Sequence, residues 1–352
     1  MSHSKLFEPL SLLHGPPMRN RFMLAPLTNQ QSEVGGAASE FDQDWIAQLA
    51  RGGYALIQTC ATTVEAGGIA FARQLGIHSD AHLPGLRQMA DAMREGGALS
   101  AVQLHHAGHR ANPRLGGIPA PASSDTLPGI DALTTEEVER IRDSFIAAAQ
   151  RAERAGFDGV AVHGAFGWIL SEFMSPLLND RTDRYGGSIE NRARLLLETT
   201  RAVADAVGAR KTGIRLSPVT PANDAHDSDP QPLFTYVVKQ LATLDLAYIH
   251  IIEGATGGPR EIEDRPFDYE ALKAAYREAG GKAAWMVNNG YDRPLAEEAV
   301  KEGDDLVAFG KPFISNPDLV RRLRENAPLN PLDKATMYGG GAKGYTDYPA
   351  LA

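Results

Sequence analysis

The stretch TTEEVERIRDSFIAAAQRAERAGFDGVAVH (Thr134–His163) holds one complete helix-to-strand unit. Thr134 with Glu137 forms a capping box, in which each side chain accepts the other residue's backbone N–H. Behind it Val138, Ile141, Phe145, Ala148 and Ala152 recur at intervals of three and four, an apolar stripe along a helix. Gly159–Val162 then reads GVAV, apolar without polar alternation. Such runs belong to parallel sheets covered on both faces.

The same rhythm extends in both directions. Upstream strands are expected at Phe22–Leu27, Ala55–Thr59 and Ser100–Leu104. Downstream ones fall at Gly213–Leu216, Tyr248–Ile252, Ala284–Val287 and Leu306–Phe309. Helical patterns fall near 40–51, 82–95, 189–207, 231–244, 268–279 and 293–302. Asn316-Pro317 reads as an N-cap with proline at the first helical position. Eight strands alternating with helices predict an α/β fold, a (β/α)8 TIM barrel, as one domain over residues 1–352. Successive strands start on average about 41 residues apart, longer than a minimal βαβ unit of roughly 30. The excess sits in Gly108–Leu133 and His163–Gly187, long βα loops on the face where barrel active sites lie. An open doubly wound sheet fits less well, because no strand is followed by G-x-G-x-x-G.

Composition narrows the function. The chain is 43% hydrophobic and 22% charged, as in an ordinary globular protein. A net charge of −9 with no basic block argues against nucleic acid and anionic membranes as partners. One cysteine, Cys60, excludes an intramolecular disulfide and cysteine-built metal sites, and fits a reducing cytoplasm. Met1–Pro9 lacks the cationic head and apolar run of a leader. The expected partner is a small molecule, and the expected state a monomer or homodimer.

In a barrel the C-terminal strand ends converge on one pocket. Here they supply Thr28, Cys60, Gln103, His105, His106, His163, Arg215, Glu253, Asn288, Asn289, Gly310 and Lys311. The set is rich in donors and poor in carboxylates, unlike a glycosidase pair. His105 and His106 cannot both face the pocket, since adjacent strand residues point oppositely, and no metal is expected. Asn289-Gly290 and Gly310-Lys311 follow strands seven and eight, where barrels bind phosphate through backbone N–H groups. Arg215 reads equally as a structural ion pair.

Several long segments together resemble the Old Yellow Enzyme family of FMN-dependent oxidoreductases. They are APLTN (Ala25–Asn29), VQLHHAG (Val102–Gly108), GIRLSP (Gly213–Pro218) and above all SPLLNDRTDRYGGSIENRARL (Ser175–Leu195). YGGGAKGYTDYP (Tyr338–Pro349) resembles the pentaerythritol tetranitrate reductase and morphinone reductase branch. The resemblance implies FMN at the barrel mouth, reduced by NADH or NADPH and reoxidised by an alkene, nitro compound, quinone or related acceptor. It implies Thr28 at the flavin O4, Gln103 on the pyrimidine edge and Arg215 near N1 and O2, where a fixed cation favours the reduced anion. It implies Pro26, Leu27 and Cys60 against the ring, and Gly290, Gly310 and Lys311 on the phosphate, with Asn289 beside them. The family usually has arginine at Lys311, so bidentate geometry is lost there.

The substrate motif departs from the family. Its usual His-x-x-His or His-x-x-Asn followed by Gly-Tyr becomes His163-Gly164-Ala165-Phe166-Gly167-Trp168. In the family two donors polarise the substrate oxygen and the tyrosine protonates carbon. Loss of one such donor removes about 2.7–4 kcal/mol of transition-state stabilisation. Trp168 has an indole N–H but is no practical proton source. Tyr338 resembles a pocket-lining family tyrosine, and His105 stands where tryptophan is common. Ene-reduction by the usual route is expected to be slow. Two alternatives stand beside this reading: a flavin-dependent desaturase or oxidase of a carbonyl compound, and a non-redox phosphate-binding barrel enzyme.

Overall fold

A computed structural model describes residues 4–13, 17–116, 123, 130, 132–338 and 341–352. Eight parallel strands form a closed barrel in sequence order, β1 pairing with β8. They are β1 (Phe22–Leu24), β2 (Leu56–Thr63), β3 (Leu99–His105), β4 (Gly159–Gly164), β5 (Thr212–Leu216), β6 (Tyr248–Ile252), β7 (Ala284–Asn288) and β8 (Leu306–Phe309). The helices are α1 (Glu40–Arg51), α2 (Leu83–Glu95), α3 (Pro113–Gly116), α4 (Thr135–Ala155), α5 (Ile169–Met174), α6 (Ile189–Val207), α7 (Pro230–Leu241), α8 (Tyr269–Glu278), α9 (Arg293–Lys301), α10 (Lys311–Ser315) and α11 (Leu319–Glu325).

The expected capping box at Thr134 and Glu137 starts α4, and its stripe is buried. Three expectations fail. Strand one ends at Leu24 rather than Leu27, so Pro26 and Leu27 lie in the segment that follows it. Strand two does not stop at Thr59 but runs to Thr63, through a register shift between Gln58 and Ala61. Cys60 therefore sits at a bulge, with its carbonyl held by the Thr62 hydroxyl, rather than at a strand end. Asn316-Pro317 does not start a helix. Asn316 closes α10, its amide donating to the Pro312 carbonyl and its oxygen accepting from Asn330 N, and α11 begins at Leu319. Most of the Gly108–Leu133 loop, and part of the Tyr338–Pro349 motif, lie outside the described residues.

Two cores follow from the two-residue period of the strands. Val102, Leu104, Val160, Val162, Ile214, Ile249 and Ile251 point outward and pack under the helices. Ala25, Ala101, Ala161 and Ala308 point inward with Met23, Met286, Leu306 and Tyr248. The interior is tight: a Cβ on Gly213 would lie 2.2 Å from the Tyr248 ring. Continuing the inward parity toward the C-terminal ends selects Gln103, His105, His163, Arg215 and Asn288, while His106 faces outward.

The long segment after β4 is fixed by charges, as its Arg-rich sequence suggests. Arg181 pairs with Asp183 and donates to the carbonyls of Ser123 and Leu133. Arg192 donates to Met174 O and Gly187 O. Glu172 on α5, wholly buried, accepts backbone N–H groups of His109 and Ser123 and lies 2.9 Å from His109 Nδ1.

Candidate active site

A cavity of about 570 Å3 opens at the C-terminal mouth. Its lining includes Pro26 and Leu27 after β1, Arg215 on β5, Gly290 after β7, and Gly310 and Lys311 after β8. The tail supplies Met337 and Tyr338, the latter 58% exposed. Four strand ends expected from sequence, those of β1, β5, β7 and β8, thus meet in one place.

Arg215 is the decisive side chain. It is 4% exposed and lines the cavity, yet among the described residues it makes no ion pair. Its Nη2 donates to Asn288 Oδ1 at 2.9 Å, its Nε has no partner, and its guanidinium lies 5.2 Å from the Phe166 ring centre. Burial pushes its pKa down to about 9, still cationic at neutral pH. The ion-pair reading of Arg215 is therefore not what the structure shows. A buried cation without a counterion calls for an anionic partner.

Of Gln103, His163, Phe166, Trp168, Tyr338, Thr28 and Cys60, only Tyr338 lines this cavity. Gln103 is 1% exposed, and its Nε2 has no partner. His163, Phe166, Trp168 and His105 form one ring cluster beside Arg215: His163 meets Phe166 edge-on at 5.7 Å and Trp168 meets His105 at 4.8 Å. Burial, then the nearby His105 and Arg215, hold the His163 imidazole well below its ordinary pKa. Tyr338 is at the cavity rim, outside that ring cluster. Thr28 is half-buried just past β1. The Cys60 thiol is pushed up by burial and by Asp42, which fits a wall rather than a nucleophile.

The phosphate end is built mainly from backbone. Gly290 has φ +69°, and a Cβ on Gly310 would meet nothing within 4 Å, leaving open space against bare backbone. Lys311 Nζ reaches Gly257 O at 3.1 Å. Asn289 lines the cavity, but its amide is committed to the loop after β6. It donates to Glu253 O and Ala255 O and accepts from Gly257 N. Sequence reasoning missed this loop, Gly257-Gly258 included. It also missed Tyr291 and Arg260, which both donate to Glu253 Oε2 and brace the loop. No periodic pattern marks such contacts.

A sequence profile of the NADH:flavin oxidoreductase / NADH oxidase family matches residues 5–330. The chain belongs to this family. Among curated Old Yellow Enzyme relatives, a chanoclavine-I aldehyde reductase of Penicillium roqueforti is 38% identical, covering 98% of this chain and 96% of its own. A 12-oxophytodienoate reductase of Oryza sativa is 35% identical, covering 98% and 94%. The old yellow enzyme homologue from Zymomonas mobilis superposes with a TM-score of 0.92 at 33% identity, covering 99% and 100%. Morphinone reductase in complex with tetrahydroNAD gives a TM-score of 0.89 at 33% identity, covering 99% and 98%.

This Old Yellow Enzyme is accordingly an FMN-dependent oxidoreductase with a nicotinamide nucleotide as hydride donor. Its residues fit that cofactor. The cavity volume lies within the usual ligand-pocket range of about 300–1,000 Å3. Arg215 and the orphaned Gln103 amide offer donors to a polar ring edge, and Gly310 leaves room for a group against the backbone. Among the described residues no group of three or more His, Cys, Asp or Glu side chains could hold a metal ion, and no helix is long and apolar enough to cross a membrane.

Proposed function

We propose that the chain passes hydride to acceptors that need no proton delivered to carbon, such as nitro compounds and quinones, more readily than to simple enones. FMN supplies the two-electron hydride relay between nicotinamide and acceptor. The residues of this chain bind, orient and shield. Arg215 would sit at the ring edge that gains negative charge, where a fixed cation in a dry site favours the reduced form. Gln103 and Thr28 would hydrogen-bond the same polar edge. Pro26, Leu27 and Cys60 would wall the ring. Gly290, Gly310 and Lys311 would take the phosphate, with Asn289 holding the neighbouring loop.

The observation that carries the acceptor preference is the ring cluster. Phe166 offers an apolar edge to His163 where a second donor would stand. Trp168 packs at right angles to the His105 and Phe71 rings and has no acidic proton to give. Carbon protonation is then left to solvent.

The spectrum of purified protein, with NADH and then NADPH added without oxygen, tests the cofactor. Flavin bands that bleach with one nucleotide identify the donor. Side-by-side assays test the preference: the double substitution Trp168→Tyr with Phe166→His should raise cyclohexenone turnover at least about tenfold while nitro reduction changes little. Equal gains, or none, would contradict it. Peroxide formed from a saturated carbonyl without NAD(P)H would point to desaturation instead.

A further inference from the structure

Glu253 follows β6 as a carboxylate beside the phosphate end of the cavity, where a negative charge opposes an anionic ligand. It is 7% exposed and fully engaged. Its Oε2 accepts from Arg260 Nε at 2.9 Å, from Arg260 Nη2 at 2.7 Å and from the Tyr291 hydroxyl at 2.8 Å. Arg260 Nη2 also donates to Tyr291 Oη at 3.0 Å, and the guanidinium lies 4.6 Å from the Tyr291 ring centre. Carboxylate, guanidinium and hydroxyl thus close a triangle. Glu253 and Arg260 line a separate cavity of about 400 Å3, with Phe267 and Tyr269. Of the three, only Tyr291 lines the mouth cavity.

The triangle is joined to the phosphate end through four consecutive residues after β7. Asn288 accepts from Arg215 Nη2 and donates to Ala308 O. Asn289 binds Glu253 O, Ala255 O and Gly257 N of the loop after β6. Gly290 presents bare backbone, and a Cβ there would lie 3.6 Å from Arg260 Cγ, so the Arg260 stem runs beside it. Tyr291 then closes the triangle. Asn289 has φ +111°. For a residue with a Cβ that angle is strained, and it persists only where the surroundings over-determine it. The bonds of the Asn289 side chain on one side and the triangle on the other supply that constraint.

We propose that Glu253, Arg260 and Tyr291 are positioning residues that hold the Asn289-Gly290 backbone and the 256–258 loop as a preformed seat for the FMN phosphate. Glu253 and Arg260 act through that backbone and not by contact with the phosphate. Glu253 is tolerated beside an anion because Arg260 neutralises it, so the carboxylate serves as a common acceptor rather than as a net charge. A seat ordered beforehand raises affinity by removing the cost of ordering it at binding. That role rests on the reading that the phosphate lies against Gly290, Gly310 and Lys311.

Competition between FMN and riboflavin, which share the ring system and differ in the phosphate, tests the role. Full-length FMN-loaded protein is equilibrated with increasing riboflavin, and both flavins are measured in the bound fraction. Tyr291→Phe keeps the aromatic ring under Arg260 and removes only the hydroxyl. It should lower the preference for FMN over riboflavin about tenfold. A general loosening of the fold weakens both flavins together and leaves this ratio alone, so the ratio separates positioning from stability. Glu253→Gln separates positioning from charge. It should also lower the preference, whereas a carboxylate that merely repelled phosphate would raise it on removal. An unchanged or increased preference in either variant overturns the proposal. If Tyr291→Phe does not fold, Glu253→Gln decides by the same ratio. A parent protein that holds riboflavin as tightly as FMN would instead remove the phosphate site itself, and the proposal with it.

Discussion

At the scale of single residues, Phe166 shows how identity and backbone conformation can disagree. Its φ is +62°, the left-handed region that a Cβ-bearing residue enters at a cost of roughly 1–2 kcal/mol. Asparagine and histidine, the residues usual at this place in the family, tolerate that region better than phenylalanine does. The conformation is held from both sides: Phe166 N donates to Ser217 Oγ, and its carbonyl accepts from Asn223 Nδ2. Since the loop imposes the angle, Phe166→Gly should be more stable than Phe166→Ala by about 1 kcal/mol, reversing the usual order of these two residues. Chemical denaturation of the two variants measures the difference, and an equal or inverted ranking would show that the angle relaxes. The sequence displays phenylalanine here plainly. It does not display the angle, because the hydrogen bonds that set it come from residues about 50 positions away.

At the scale of elements, the eight strands and the long helices between them were legible because their signals are local: the apolar runs and the stripe of α4 need only neighbours in sequence, whereas the short helices α3, α5 and α10 carry no such pattern. What was not legible depends on partners. The bulge in β2 arises from registering against β3, and Asn316-Pro317 mimics a helix start because the Asn330 backbone that claims Asn316 is remote in sequence. The same holds for the tie between β2, β3 and α4. Glu65, just past β2, meets His106 Nε2 at 3.1 Å, Arg140 Nη1 at 2.7 Å and the Ser144 hydroxyl at 2.9 Å. Burial pushes its pKa up, but the His106 hydrogen bond and charge, with Arg140 and Ser144, outweigh that and hold it at about 2. A carboxylate depressed in the folded state adds stability above its unfolded pKa and loses it as pH falls through the folded value. The Glu65 contribution, on the order of 3 kcal/mol, is therefore complete above about pH 5 and gone near pH 2. Glu65→Gln should be less stable than the parent at pH 6, and the gap should close between pH 5 and 2. Urea midpoints across that range test it; a gap independent of pH would mean that Glu65 acts by packing alone.

At the scale of the whole molecule, the cavity is where distant parts of the chain converge. Its lining comes from the ends of β1, β5, β6, β7 and β8, and from the C-terminal tail. The tail is anchored separately: Tyr345 is buried edge-on against Trp45 and Phe41 of α1, and Arg322 binds Asp318 and the carbonyls of Pro328 and Pro349. An occupant of the cavity therefore joins five strands and the tail at once, and cofactor binding becomes stability of the entire fold. At free FMN a hundredfold above its dissociation constant the gain is about 2.7 kcal/mol, or roughly 3–4 °C in Tm for a chain of this length. Lys311 tests where that energy enters. Its side chain is exposed and reaches only Gly257 O, so the cofactor-free form of Lys311→Met should stay within about 0.5 kcal/mol of the parent. With FMN present, the loss of a charge-assisted bond to phosphate, about 1.5–3 kcal/mol, should shrink the shift to between about a half and a tenth of the parent's at the same FMN concentration. Lys311→Arg restores the charge and adds a second donor, and should keep the full shift or exceed it. Thermal scans of the three proteins with and without FMN decide the matter. A full shift in Lys311→Met would place the phosphate elsewhere, and a fall in its cofactor-free Tm would make the Gly257 contact, rather than the ligand, the reason for the lysine.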